Sequence, residues 1–428
     1  MGTKLSKKKD KLIFKEIIDM IPRNIISSAI LKYKSDKHCS TYKTYDQLCS
    51  TMFGQLNKCL SLREIVLGID QSPEFLSDIG LKQSPAKSTM SDGNEKRSYQ
   101  VFEAIYHGLL KYYACSLQKR AGYKVIEEVK GKTIKIVDAT IMTVSLSLFP
   151  WAKYRTAKGG IKAHVSLDEA TMIPDIINIS DAKLSDRRGV DDFRYPKDNI
   201  IVDDRGYFDC KLFKQRIEDG NIFVCRIKDN ILYKVVKERE LPDKDDQHIL
   251  LDEEICLTGT SAKATKMDKI TLRRIVVYIE DEKGKFQTIE LITNNLEWKA
   301  STIAELYKRR WSIEEFFRLI KQNLLVKTFI GTSENACKSQ IWIAMICYLL
   351  IELIRRVICK KEHGFSHTVL IIRVCITRYT SLNYIMNNTH LAVRKARIHT
   401  KDPPNLFDNQ SKNKKIIQLY LDFSNPCP

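Results

Sequence analysis

Apolar residues recur at helical spacing through the first quarter of the chain. Phe14, Ile17, Ile18 and Ile21 stand at i, i+3, i+4 and i+7, and Leu48, Met52, Phe53 and Leu56 form a second such face. Ser61-Leu62-Arg63-Glu64 has the spacing of a capping box before another short helix. Ser88-Thr89-Met90-Ser91 opens a pattern that predicts one long helix ending near Leu117. From residue 125 the texture changes. The stretch 133–138 predicts a strand that ends on the carboxylate of Asp138, and 162–166 and 172–179 predict the next two. Residues 199–203 form a short apolar run, as a buried strand does, leading into a turn at Asp204-Arg205-Gly206-Tyr207. A helix near 209–219 and a fifth strand at 222–227 follow. Strands interleaved with helices in this order predict a mixed α/β sheet.

The rhythm breaks again at 231–236, 248–257, 270–279 and 286–292, which all read as strands separated by charged turns at 243–247 and 281–285. This predicts an all-β insertion over about 229–292. Strong helical periodicity returns at 301–325, read as one continuous helix, and at 338–360. The longest apolar run, 341–351, is too short for a bilayer span of about 20 residues and suits a buried helix. The expected organisation is a helical N-terminal domain over 1–125, an α/β domain over 126–335 and a helical C-terminal region over 336–428 with a basic tail from about 392.

Charge narrows the choice of partner. Lys and Arg number 71 against 52 Asp and Glu, a net charge of +19 over 428 residues. That excess favours a polyanion such as nucleic acid, although solvated surface lysines produce the same total. Lys4, Lys7, Lys8, Lys9 and Lys11 crowd the start, so the helical N-terminal domain suits DNA binding; a dimerisation scaffold is the other reading. The twelve cysteines include no CxxC and no zinc spacing, which points to free thiols in a reducing cytoplasm. The opening Met1-Gly2-Thr3-Lys4-Leu5-Ser6 fits the loose myristoylation pattern, which is short and common and carries little weight. The N-terminus is polar and shows no secretory signal. His363 and His367 stand four apart with no convincing acidic partner and read as structural.

Candidate chemistry concentrates on the helix at 301–325. On a wheel of about 100° per residue, Tyr307, Arg310, Glu314 and Lys321 fall at about 0°, 300°, 340° and 320°. All four share one stripe, beside an apolar stripe of Ile313, Phe317, Ile320 and Leu324 suited to docking on a sheet. A solvated salt-bridge ladder looks the same. Ser312 with Glu315 could also start a fresh helix, which would leave only the Glu314–Lys321 alignment secure. If the first and fourth strands are neighbours, Asp138 and Asp204 emerge on one sheet edge within reach of Glu314. Crowded carboxylates raise one another's pKa unless a cation compensates, and the natural partner is Mg2+ or Mn2+. Two such ions about 4 Å apart would serve phosphodiester chemistry, with Arg310 and Lys321 on phosphates. Against this stands the common use of strand-end Asp as a turn residue.

The pattern Tyr-x2-Arg-x3-Glu-x6-Lys at 307–321 resembles the signature of DDE transposases of bacterial insertion sequences, in particular the subgroup named for its Tyr-Arg-Glu-Lys motif. Arg310-Trp311-Ser312-Ile313-Glu314 and Phe317 are similar to that family's core around the Glu, and the similarity continues through Gly331-Thr332-Ser333-Glu334-Asn335. Asp204-Arg205-Gly206-Tyr207 resembles its second-Asp motif, and Asp138-Ala139-Thr140 with Trp151-Ala152-Lys153-Tyr154-Arg155 its first. Ser61-Leu62-Arg63 and Ser88 to Ser91 resemble an extra N-terminal domain of some members, so the likeness covers roughly 5–355. It implies a ribonuclease H-like catalytic fold with Asp138, Asp204 and Glu314 as the catalytic, metal-binding triad. It also implies a β-rich insertion between the second Asp and the Glu, with two Mg2+ or Mn2+ ions at the triad. Tyr307, Arg310 and Lys321, together with Arg205, would hold DNA. Asp203 competes with Asp204, which the motif favours because it directly precedes Arg-Gly-Tyr.

The implied enzyme is an insertion-sequence transposase that cuts element ends and joins them to target DNA by two-metal phosphoryl transfer. Its partners would be double-stranded DNA, as terminal inverted repeats and target, and a second copy in a synaptic homodimer. It would work in the cytoplasm, associated with the nucleoid and with no membrane. The alternatives are a catalytically silent DNA-binding descendant and a ribonuclease H-like nuclease. One departure concerns hairpin formation, for which some relatives stack an insertion-domain Trp on a flipped base. The four Trp here are Trp151, Trp298, Trp311 and Trp342, none in 231–291, which leaves Tyr233, Tyr278 or Phe286 for such stacking.

Overall fold

Seven helices open the structure: α1 (Ile13–Asp19), α2 (Arg23–Tyr33), α3 (Thr44–Asn57), α4 (Leu62–Ile69), α5 (Pro73–Ile79), α6 (Lys87–Lys96) and α7 (Gln100–Tyr112). The computed structural model describes residues 11–117, 120, 122–155, 158–241, 248–280 and 286–388, without the side chains of 153–155, 158, 279, 280 and 286. Lys4 to Lys9, the turns at 243–247 and 281–285 and the basic tail lie outside the described residues. The apolar faces expected of α1 and α3 are buried: Phe14, Ile17, Ile18, Leu48, Met52, Phe53 and Leu56 are all at most 3% exposed. Ser61 caps α4 by accepting the Glu64 amide at 3.2 Å, while Glu64 accepts from the Leu60 amide at 2.9 Å. The single long helix expected after Ser88 is instead two, α6 and α7. Arg97 at the break is buried and donates to the carbonyls of Ser35 and Tyr42. The Asn335 side chain holds the turn by bonding the Arg97 carbonyl at 2.6 Å and the Tyr99 amide at 2.9 Å. A buried cation and a distant amide thus override local helix propensity.

The middle of the chain forms one ten-stranded sheet. Its strands are β1 (Ile134–Val144), β2 (Lys153–Arg155), β3 (Lys158–Asp168) and β4 (Ile173–Asp181); then, after the short helix α8 (Asp186–Gly189), β5 (Ile200–Asp203). Helix α9 (Cys210–Glu218) leads to β6 (Ile222–Arg226), followed by β7 (Tyr233–Glu238), β8 (Ile249–Leu257), helix α10 (Thr260–Thr265), β9 (Leu272–Glu280) and β10 (Phe286–Thr293). β1 runs antiparallel to β3, and β3 to β4, while β5 is parallel to β1 and β6 parallel to β5. β10 then pairs antiparallel with β6, and β9, β8 and β7 continue the sheet outward. The insertion departs from the expectation in one way: it contains α10, so it is β-rich rather than all-β. Its strands extend the central sheet.

Past the sheet come α11 (Ala300–Lys308), α12 (Trp311–Asn323), α13 (Glu334–Leu353), α14 (Phe365–Cys375) and α15 (Leu382–Asn388). α13 is buried over most of its circumference, and the N-terminal and C-terminal helices share its core. The two ends of the described chain also meet directly, where the Ile13 and Phe14 amides donate to the carbonyls of Arg378 and Ile376 at 3.1 Å. No helix among the described residues is long and apolar enough to cross a membrane. His363 and His367 bond each other at 3.2 Å, and His363 also reaches the Met386 carbonyl, which fits their structural reading.

Strand alternation sorts the β1 side chains onto two faces. Ile136 and Met142 join a core with Ile313, Phe316, Phe317 and Ile320 of α12. Val137 faces the other way, with Ile201, Tyr207 and Leu212. Behind β1 on that second face, His164 of β3 is fully buried and sits against Gly189. A Cβ at Gly189 would lie 2.1–2.4 Å from three atoms of the His164 ring, a hard clash. Gly189→Ala should therefore destabilise the fold by about 3 kcal/mol, the upper range for overpacking a dense core. Urea unfolding of the two proteins checks this, and equal midpoints would contradict it.

Candidate active site

The parallel pairing of β1 with β5 covers Ile134↔Ile200 through Val137↔Asp203 and stops there. β1 itself runs on to Val144 against β3. Contrary to the expectation, Asp138 does not end its strand; it marks where the β5 side of β1 falls open. Asp204 follows β5 on the next position, so both carboxylates come to the same edge. Alternation also separates the two adjacent acids. Asp203 points to the α9 face, is fully buried and pairs with Arg216 at 2.6 Å. Asp204 follows with the opposite parity, toward α12.

The continuous helix expected over 301–325 is broken. α11 ends at Lys308 and α12 starts at Trp311. No fresh Ser312 cap causes the break. Arg309 is turned away to Glu169 at 3.2 Å, to Glu305 at 2.9 Å and to the Lys124 carbonyl at 2.7 Å. Glu169 is 1% exposed on its side chain and also binds Arg120 at 2.8 Å. Arg310 turns the other way, into the site. Both residues at the break keep right-handed helical backbone, so the stripe is bent without being lost, and its residues converge. Tyr307 donates its hydroxyl to Asp204 Oδ1 at 3.2 Å. Arg310 Nη2 lies 2.8 Å from Glu314 Oε1, and its Nη1 lies 3.8 Å from Asp138 Oδ2. Lys321 Nζ donates to the Ile141 carbonyl of β1 at 3.2 Å, so it stands three residues along the strand from Asp138. Arg205 is the exception: it is half exposed and faces Asp229 at 3.7 Å. Of the aromatic residues considered for base stacking, Tyr278 is buried, Tyr233 lies beneath Arg274, and the Phe286 side chain is outside the description.

Electrostatics mark the cluster as poised. Burial raises the Asp138 carboxyl to about 6; the Ala139 amide and Arg310 oppose this, and Asp204 and Glu314 reinforce it. Burial, then Asp204, raises the Tyr307 phenol, which keeps it a hydrogen-bond donor. Burial lowers the Lys321 ammonium, with Lys327 adding to it. The Asp138 shift has a sign that can be measured. A folded pKa above the unfolded value means that ionisation opposes folding, so stability falls as pH rises through about 4 to 6. Asp138→Asn should then stabilise the cation-free protein by about 1–3 kcal/mol at pH 8, with the gain vanishing below about pH 4. Denaturant unfolding in a chelator at both pH values checks it, and a loss of stability at pH 8 would refute it.

Among the described residues, no three His, Cys, Asp or Glu side chains close on one point as a ready metal cage. The donors nevertheless fit a hard divalent cation. All are carboxylate oxygens, and the Asp138 carboxyl is raised by burial, with Asp204 and Glu314 adding to it.

These residues fall within a matched family. The model for the transposase DDE domain aligns with residues 129–350, just over half the chain and including every carboxylate above. The chain belongs to the DDE transposase family. Membership implies the ribonuclease H-like fold expected from the sequence, a DNA substrate and dependence on divalent metal ions. A domain of unknown function (DUF4372) matches residues 9–82. The transposase assigned to insertion sequence element IS5377 of Geobacillus stearothermophilus is 32% identical over 265 residues, covering 62% of this chain and 66% of that protein, just under two thirds of its length. The Sinorhizobium fredii protein y4zB, also named a transposase, is 29% identical over 69% of this chain and 79% of its own. A third relative, from Synechocystis and named for insertion sequence element IS4SA, is 27% identical over 65% and 73%.

Sequence reasoning missed Glu169 and Arg309, which pair beside the helix break, and Arg216, which pairs with Asp203 on the opposite face. Arg216 falls on the apolar face of α9 with Leu212 and Phe213, and that anomaly was an available signal; Glu169, beside Asp168 in a polar stretch, had none.

Proposed function

We propose that this transposase cuts the ends of its insertion sequence and joins them to target DNA with Asp138, Asp204 and Glu314 as its catalytic carboxylates, and that it belongs to the Tyr-Arg-Glu-Lys subgroup. One observation carries the reading. Two parallel strands and one helix, far apart in sequence, deliver three carboxylates to one sheet edge, with Tyr307 on the second and Arg310 joining the other two. The three would hold two Mg2+ or Mn2+ ions, which when bound supply Lewis-acid stabilisation and lower the pKa of water.

The remaining work belongs to the protein. Tyr307 fixes the Asp204 carboxylate by donating to it, and a carboxylate so held loses less freedom when it engages a ligand. Asp138 must be ionised to act as an oxygen donor, so its raised pKa makes the site weaken as pH falls below about 6. Lys321 and Arg310 bring positive charge to the edge where a DNA phosphate would lie, and Arg205 adds charge at the rim. The helices of 1–125 would recognise terminal inverted repeats, and two copies would hold the two ends in a synaptic dimer. Such an enzyme works on chromosomal DNA, in the cytoplasm with the nucleoid.

The test uses the purified full chain, Mg2+ and DNA carrying the element's own ends. The expected products are 3′-hydroxyl ends at the element boundary, followed by joining to a second duplex. Cutting without end preference or joining would favour the nuclease reading. End binding without any cutting would favour a silent descendant.

A further inference from the structure

Arg310 is placed oddly for a side chain that serves only to hold DNA. Its side chain is 13% exposed, and its two terminal nitrogens face Glu314 and Asp138. The guanidinium is flanked by the rings of Tyr307 at 5.9 Å and Trp311 at 5.7 Å. Its Nε is buried with no hydrogen-bond partner. A planar guanidinium is a good mimic of a bridging cation between carboxylates, because its fork offers one N–H to each.

We propose that Arg310 is the resident counter-ion of the cation-free site, holding Asp138 and Glu314 until a divalent ion displaces it and frees it to bind a DNA phosphate. The inference rests on the catalytic reading above. The same carboxylate oxygens cannot serve a guanidinium and a divalent ion at close range, since the two cations repel and compete for lone pairs. The orphaned Nε makes the resting pose easy to leave, because a phosphate outside would satisfy an N–H that nothing satisfies inside. Trp311, 44% exposed, lies beside the guanidinium. Cation and DNA binding are then positively coupled through one side chain, and by linkage each strengthens the other.

The experiment is a Mg2+ titration of the full chain without DNA, by calorimetry. Arg310→Gln should bind Mg2+ roughly tenfold more tightly than wild type, because a competing charge is gone. Arg310→Lys keeps the charge without the fork and should tighten binding by only about threefold; it also guards against misfolding of the first variant. In parallel, Mg2+ should change the Trp311 fluorescence of the wild type, isolated by comparison with Trp311→Phe, and leave it unchanged in Arg310→Gln. Equal or weaker Mg2+ binding by both Arg310 variants would overturn the inference. Glu314→Gln separates the two levels. If it fails to weaken Mg2+ binding, the catalytic reading itself is wrong; if it does weaken binding while the Arg310 variants do not tighten it, only the counter-ion role falls.

Discussion

Glu314→Gln is expected to lower strand cleavage at the element ends by at least about 10³-fold, a loss near 4 kcal/mol of transition-state stabilisation. The substitution keeps size and hydrogen bonding while removing the negative charge. Glu314 lies on the first turn of α12, where Ile313, Phe316, Phe317 and Ile320 anchor the helix to the sheet core. Its side chain is 40% exposed and pairs with Arg310, so the fold has little reason to change. The thermal midpoint should stay close to wild type while cutting disappears. A variant that still cuts at even a tenth of the normal rate would remove Glu314 from the chemistry.

Glu169→Ala carries a large expected stability change, about 3 kcal/mol, the low end for breaking a buried ion pair, because Arg309 keeps Glu305 and the Lys124 carbonyl. Glu169 is fully buried, and Arg309 depends on it in a setting where its own side chain is 11% exposed. Arg120 is 36% exposed and can turn to water, so the loss falls on Arg309. The effect should reach the active site as well. Arg309 is anchored at the turn between α11 and α12, next to Arg310, which faces Asp138 and Glu314. A Glu169→Ala protein should therefore unfold at lower denaturant and show reduced cleavage even where it is fully folded. Wild-type stability would show that Arg309 finds compensation elsewhere.

How much of this was readable beforehand depends on the range of the forces involved. The insertion strands were legible to within two residues, because alternation and charged turns are local signals. Helix α10 was not, since six residues of Thr260–Thr265 are too few to set up a period. The three carboxylates could be nominated from motif and spacing, but the choice of Asp204 over Asp203 acquires a physical reason only with the sheet. Strand parity and Arg216 send Asp203 to the opposite face. The break at Arg309 and Arg310 is mild, since both keep right-handed helical backbone, and arginine is a good helix former, so only the Ser312 signal hinted at it. Tyr307, Arg310 and Glu314 stay together across it, with Arg310 over the Tyr307 ring and paired with Glu314 four residues on. The Arg309 contact to Glu169, 140 residues earlier in the chain, had no local signal.

The central claim is that Asp138, Asp204 and Glu314 act as one centre, and strand cleavage by a set of carboxamide variants measures it most directly. Asp138→Asn, Asp204→Asn, Glu314→Gln and the triple variant would be assayed on the element's own ends with Mg2+, with Asp203→Asn as the neighbouring control. Groups that work as a unit are not additive, so each single variant should fall as far as the triple. Asp203→Asn should lose stability while keeping cleavage in whatever fraction remains folded. Cleavage that survives in any folded single variant of the three, or that tracks Asp203 in place of Asp204, would contradict the account.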